Sequence, residues 1–189
     1  MKLKIKKLIS VDSTNIVAID LIKKNKIKPT LVTADIQKKG KGTMGKKWIS
    51  KKGNLFVSIY FQISKSKIDF REFSILNPYI IKNIIKKYSK YKINIKWPND
   101  IFIKKKKVCG ILQEVIEFKK KQFLIIGIGI NTKKTPITRK FNSISLQNCS
   151  NTLINNNKIL HDLIKSYENL LPQINKYKFS YFKRNICRG

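Results

Sequence analysis

Acidic residues are the first scarcity in this 189-residue chain: 10 Asp and Glu stand against 42 Lys and Arg, a formal net charge of +32. Arginine is scarce too, and the positive charge is nearly all lysine, spread evenly from Lys2 to Lys183 in the company of Ile and Asn. An excess of this size ordinarily points to a nucleic-acid partner. The even spread instead indicates a global amino-acid bias, and the guanidinium forks that grip phosphates and guanine edges are few. No specific DNA partner is expected. Cys109, Cys149 and Cys187 lie far apart in no metal or redox spacing, so reduced thiols in a cytoplasmic protein are expected. The single histidine, His161, has no partner motif. No apolar run reaches the ~18 residues that a membrane span needs, and the basic start from Met1 to Lys7 is not followed by the apolar core of a signal peptide. Neither a membrane partner nor export is expected.

What the chain does have is material for a core. Hydrophobic residues make up 42% and aromatics 10%, which excludes a disordered polymer, and the length suits one domain but not two. Leu3 to Ile9 reads as a first strand. Asp12 or Ser13 can cap a helix from about Asn15 to Lys24, with Ile16, Ile19, Leu21 and Ile22 on its apolar face. Thr30 to Asp35 reads as a strand, and Gly53 to Phe61 as one buried on both faces. Phe73 to Tyr88 has helical periodicity, with Pro78 kinking it or delaying its start. Ile101 to Ile103 and Val108 to Leu112 read as two strands joined by a solvated lysine turn, Phe123 to Thr132 as another buried strand, and Lys158 to Tyr177 as a helix broken by Pro172.

Three stretches carry chemistry beyond this framework. The cap Asp12-Ser13-Thr14-Asn15 shows hydroxyls at a helix N-terminus, where polar ligand atoms are well received. Between Gln37 and Ser50, Gly40, Gly42 and Gly45 alternate with Lys41 and Lys46, a composition whose amides can turn inward around a phosphate while cations neutralise it. From Lys96 to Glu114, Pro98 fixes a turn carrying Asn99 and Asp100, while Gly110 interrupts a strand where another backbone or a ligand comes close. Lys107, three residues earlier, can aim its ammonium there.

These stretches, in this order, resemble the biotin-protein ligases. That family carries Lys-Trp-Pro-Asn-Asp followed by Lys-x-x-Gly-Ile-Leu-x-Glu, matched here by Lys96 to Asp100 and by Lys107 to Glu114. Its glycine-rich loop Gly-Arg-Gly-Arg-x-Gly-Arg-x-Trp is matched at Gly40, Gly42, Gly45 and Trp48, with Gln37 three residues ahead. Lys41 and Lys46 replace arginines, keeping charge but losing the fork, and Thr43 replaces a third and loses the charge as well. Gly127 to Asn131 matches a further Gly-Ile-Gly-Ile-Asn element, and Ser143 to Gln147 a short helical segment.

The resemblance implies an α+β fold: a mixed, largely antiparallel central sheet with helices packed on one side, as in biotin and lipoate ligase catalytic domains. Residues 1–189 are expected to form a single catalytic domain, with no N-terminal helix-turn-helix and no small C-terminal β-barrel. The implied reaction consumes biotin and MgATP, forms biotinyl-adenylate, and transfers biotin to a lysine on the biotin carboxyl carrier protein of acetyl-CoA carboxylase. Lys107 and Asp100 are the implied catalytic residues. Ser13, Thr14, Asn15, Gln37, Lys41, Gly42, Thr43, Lys107 and Gly110 are the implied biotin contacts. Gly40, Gly45, Lys46, Trp48, Lys96 and Asn131 are assigned to ATP and the adenylate, with Asn131 also indirectly on the Mg2+ side. In that family the position of Thr43 helps to retain the activated intermediate. A monomer or homodimer is expected. A lipoate or octanoate ligase or transferase of the same fold, and a basic nucleic-acid binder, are the alternatives; the Arg-Arg-x-Ser-Gly-Gly-Gly loop of the former is absent.

Overall fold

The computed structural model describes residues 1–137 and 142–187. Seven strands form one sheet: β1 Lys4–Val11, β2 Thr30–Gln37, β3 Leu55–Gln62, β4 Ile93–Lys96, β5 Asp100–Ile103, β6 Lys106–Phe118 and β7 Lys121–Ile130. Their spatial order is β1-β2-β3-β7-β6-β5-β4. The β1–β2 pair is parallel and every other pair is antiparallel, so the sheet is mixed and largely antiparallel, as expected. The lysine turn between β5 and β6 is just Lys104 and Lys105, both at positive φ, the backbone that two-residue hairpins favour. Lys106 and Lys107 are already strand, so Lys107 is not part of the wet turn.

Alternation sorts the buried strands into two faces. Val57, Ile59 and Phe61 of β3 join Leu124, Ile126 and Ile128 of β7 in the main core. Helices α2 (Phe70–Lys86), α3 (Asn156–Leu170) and α4 (Phe179–Ile186) cover that core with Phe73, Leu76, Ile81, Ile159, Leu163, Tyr167 and Phe182. The other face carries Tyr60, Phe123, Ile125 and Val32, covered by Ala18 and Ile22 of α1 (Thr14–Lys23). The expectation of helices on one side is therefore corrected: α1 packs opposite the other three. Burying the large apolar chains of both faces contributes roughly 1.5–3 kcal/mol each.

Local chemistry sets the helix ends. Asp69 and Glu72 close a capping box that starts α2 at Phe70, three residues ahead of the first periodic residue. Pro78 is accommodated within the buried side of the helix and does not delay its start. Asn155 caps α3 through Asn157 N at 2.9 Å. The short helical segment expected at Ser143 to Gln147 is displaced: Ser143 bridges to Lys107, and a 3-10 turn occupies Gln147–Cys149.

Candidate active site

The site lies on the α1 face, where the sheet is floored with glycine. Gly110 of β6 pairs with Gly129 of β7, and Gly127 pairs with Ser58 of β3. The Trp48 indole lies flat on this floor. A Cβ on Gly110 would come 2.6 Å from Trp48 Cζ3 and 3.3 Å from Lys107 Nζ, and one on Gly129 would come 2.6 Å from Trp48 Nε1. No side chain fits at either position while the indole is there. Gly129→Ala is expected to push the indole off the floor, read as a shift in Trp48 fluorescence in a Trp97→Phe background.

At one end of the cavity stands a polar network. Ser13 is the N-cap of α1, but its side chain does not cap it. That task falls to Gln37 of β2, whose Oε1 accepts from Thr14 N at 2.8 Å and from Thr14 Oγ1 at 3.0 Å. Ser58 Oγ, fully buried, lies 2.7 Å from Thr14 Oγ1 and 2.5 Å from Asn15 Oδ1, within reach of either with its one proton. Asn15 Nδ2 donates to Glu114 Oε2 at 2.6 Å, and Gln37 Nε2 to Ser50 Oγ at 3.1 Å. Hydroxyls and carboxamides from four separate segments are thus fixed against one another before any ligand arrives, which lowers the ordering cost of binding. Ser58→Ala leaves the buried Asn15 Oδ1 without its donor, while Thr14 Oγ1 keeps its bond to Gln37, and is expected to cost about 1–3 kcal/mol of stability, measured by urea unfolding.

At the other end, Lys107 Nζ lies 2.6 Å from Asp100 Oδ1, with the two side chains 14% and 23% exposed. The same ammonium is 5.3 Å from the centre of the Trp48 ring. Cys109 is next but one to Lys107, yet burial pushes its thiol far up, so it stays protonated and offers no nucleophile. Between the two ends, Lys41 and Lys47 form an antiparallel bridge and Gly42 N donates to Lys46 O at 2.7 Å, which folds the glycine-rich loop into a small arch. Asn99 Nδ2 approaches Thr43 Oγ1 at 3.5 Å across the mouth. The enclosed volume is about 80 Å³, with Ser13, Thr14, Asn15, Lys41, Thr43 and Lys107 among its walls. Under the arch a second groove reaches Leu112 and Glu114.

The order of these parts along the chain is matched by known proteins. A family model for the biotin/lipoate A/B protein ligase family matches residues 8–131. The chain belongs to the biotin/lipoate A/B protein ligase family. The bifunctional ligase/repressor BirA of Bacillus subtilis is 35% identical over 126 residues, 66% of this chain and 39% of that protein. The BirA of Escherichia coli is 30% identical over 123 residues, 64% of this chain and 38% of that one. The matches thus span under two fifths of these relatives' length. Among solved structures, the biotin protein ligase from Aquifex aeolicus in complex with biotin and ATP superposes with a TM-score of 0.80 at 28% identity, covering 97% of this chain and 76% of that one. A bi-partite lipoate protein ligase from Thermoplasma acidophilum shares the fold, with a TM-score of 0.61 at 10% identity.

Within this member of the biotin/lipoate ligase family, the structure gathers most of the residues singled out above. Ser13, Thr14, Asn15, Gln37, Lys41, Gly42, Thr43, Lys46, Trp48, Asp100, Lys107 and Gly110 line one cavity. Gly40 and Gly45 lie in the adjoining groove, where Gly40 leaves no room for a Cβ beside Trp48 O and Ser50 Oγ. Asn131 is buried behind the cavity wall; its Nδ2 approaches Lys107 O at 3.4 Å and its Oδ1 has no hydrogen-bond partner among the described residues. Lys96 does not line the cavity: it pairs with Asp100 across β4 and β5, and its ammonium lies 5.4 Å over the Phe102 ring. Ser58, Ser50 and Glu114 complete the network, though sequence reasoning did not single them out as site residues. Glu114 had a signal as the last fixed residue of the motif from Lys107, and Ser58 as the one small polar residue in an apolar strand.

No helix among the described residues is long and apolar enough to cross a membrane. No group of three or more His, Cys, Asp or Glu among them is placed to hold a metal ion.

Proposed function

We propose that the protein is an ATP-dependent ligase that activates biotin as biotinyl-AMP and transfers it to a lysine of the biotin carboxyl carrier protein of acetyl-CoA carboxylase. The observation that carries this is the pairing of two unlike ends in one cavity: a network of hydroxyls and carboxamides backed by Glu114, and an ammonium held 2.6 Å from a carboxylate. Biotin has the same polarity, with a neutral ureido ring at one end and a carboxylate at the other. The ureido group finds acceptors and donors in Ser13, Thr14, Asn15 and Gln37, and the valeryl chain crosses the apolar glycine and indole floor to Lys107.

In the first step the biotin carboxylate attacks the α-phosphorus of ATP and pyrophosphate leaves. Negative charge grows on the α-phosphate oxygens, and Lys107 with the loop amides and lysines from Gly40 to Lys46 stabilises it without reorganising. In the second step the carrier lysine attacks the acyl carbon and AMP leaves. Asp100, already bound to an ammonium in the resting site, orients the incoming amine and takes its proton. Trp48 offers the nucleotide a flat apolar face and an unpartnered indole N–H. Mg2+ needs few protein ligands when phosphates supply the rest. Asn131 Oδ1, a hard oxygen with no hydrogen-bond partner among the described residues, lies behind the cavity wall and would serve the ion only indirectly; the ion would neutralise phosphate charge.

The test is transfer of labelled biotin to an isolated carrier domain, with lipoate and octanoate as competing acyl donors. Biotin is expected to be transferred and the other two not. Efficient use of lipoate, with biotin inert, overturns the substrate assignment. An oligonucleotide is expected to bind only weakly and to be released by moderate salt.

A further inference from the structure

Three lysines in the arch share the cavity with the reacting groups: Lys41, Lys46 and Lys47 line the same volume as Lys107 and Asp100. The antiparallel bridge between Lys41 and Lys47, and the bond from Gly42 N to Lys46 O, hold this stretch across the opening. Lys47 directly precedes Trp48, which lies on the glycine floor. All three are exposed, and none takes part in an ion pair among the described residues, whereas Lys107 is locked to Asp100 as an ammonium. An arginine in such a position is chemically inert, because a guanidinium keeps its proton and has no free lone pair. A lysine is a nucleophile whenever its proton departs.

We propose that the protein acylates its own loop: when the activated acyl donor stands in the cavity and no carrier is present, the ε-amine of Lys41, Lys46 or Lys47 takes the acyl group in cis. This rests on the adenylate chemistry proposed above. The amine nitrogen bonds to the acyl carbon, the bond from that carbon to the phosphate oxygen breaks, AMP leaves with the electron pair, and the amine's proton passes to solvent or Asp100. Tethering supplies the effective concentration that a free surface lysine lacks. Each amide removes one positive charge from the arch, so the modification limits itself by weakening the loop's hold on the next nucleotide.

The experiment mixes the full chain with an equal amount of a mass-tagged Lys107→Ala copy, adds biotin and MgATP without carrier, and follows both copies by intact mass and peptide mapping while pyrophosphate release is recorded. The loop peptide of the active copy is expected to carry biotin in about tenfold excess or more over the same peptide of the inactive copy. That excess should not change on dilution. The Lys41→Arg, Lys46→Arg, Lys47→Arg triple variant, normalised to the pyrophosphate it releases, is expected to lose the excess. Pyrophosphate released with the loop unmodified, or with both copies modified equally, overturns self-acylation and leaves the ligase reading standing. Absence of pyrophosphate overturns both.

Discussion

Lys107→Ala is expected to lower the rate of adenylate formation by about a hundredfold or more, the usual loss when one pre-set donor to a developing oxyanion is removed. A rate within threefold of the parent removes Lys107 from the chemistry. The substitution also affects folding. Because the Lys107 and Asp100 side chains are only 14% and 23% exposed, removing the ammonium strands a largely buried carboxylate. A stability loss of about 1–3 kcal/mol is expected in urea, less than for a fully buried pair because solvent still reaches both groups. Asp100→Asn added to Lys107→Ala removes the stranded charge and should restore most of that stability and none of the activity. Recovery of both would mean that the loss was structural throughout.

The second large effect concerns Thr43. Its hydroxyl lies at the cavity mouth, 3.5 Å from Asn99 Nδ2, where the family that this chain resembles carries arginine. A charge-assisted contact is worth about 1.5 to 3 kcal/mol, so its absence costs roughly ten- to a hundredfold in retention of an anionic adenylate. Lys41 and Lys46 supply charge nearby, but as point charges on flexible stems they order the loop less than a fork does. The wild-type protein is therefore expected to label albumin with biotin more than Thr43→Arg does, compared at matched rates of carrier biotinylation. Equal labelling by the two forms would show that other residues close the loop.

Much of the fold was legible where one signal was strong. β3 and β7 stand out as apolar runs, and nine of the twelve residues assigned to the gathered cavity match motifs with their own spacing, Lys41, Thr43 and Lys46 being the departures. What escaped was encoded by tertiary partners. β4 is four residues, Ile93–Lys96, whose two isoleucines are diluted by lysine and asparagine. β6 runs on to Phe118 through Gln113, Glu114 and Glu117, residues with little strand propensity that are held by pairing with β7. The side on which α1 packs is set by the parallel β1–β2 crossover and not by any residue in the helix. In the site, Gln37 caps α1 from another strand, so neither local capping rules nor helix periodicity point to it. Ser58 is a site residue only because Gly127 opposite it leaves room for Asn15.

The strand order has a kinetic consequence. β3 ends at Gln62 and its neighbour β7 begins at Lys121, so the central pairing of the sheet closes a long loop before it gains any contact. Such non-local closures slow folding and are reached late. The glycine floor is split between β6 and β7, the hydroxyl that ties Thr14 to Asn15 hangs from β3, and the helix that presents them lies near the start of the chain. During synthesis, therefore, the N-terminal half emerges with the α1 cap and the β3 hydroxyl but without the glycine floor. The pocket comes into being only when β7 zips between β3 and β6, in the same event that completes the sheet, so ligand capture by a nascent or refolding chain is a clock for that last pairing.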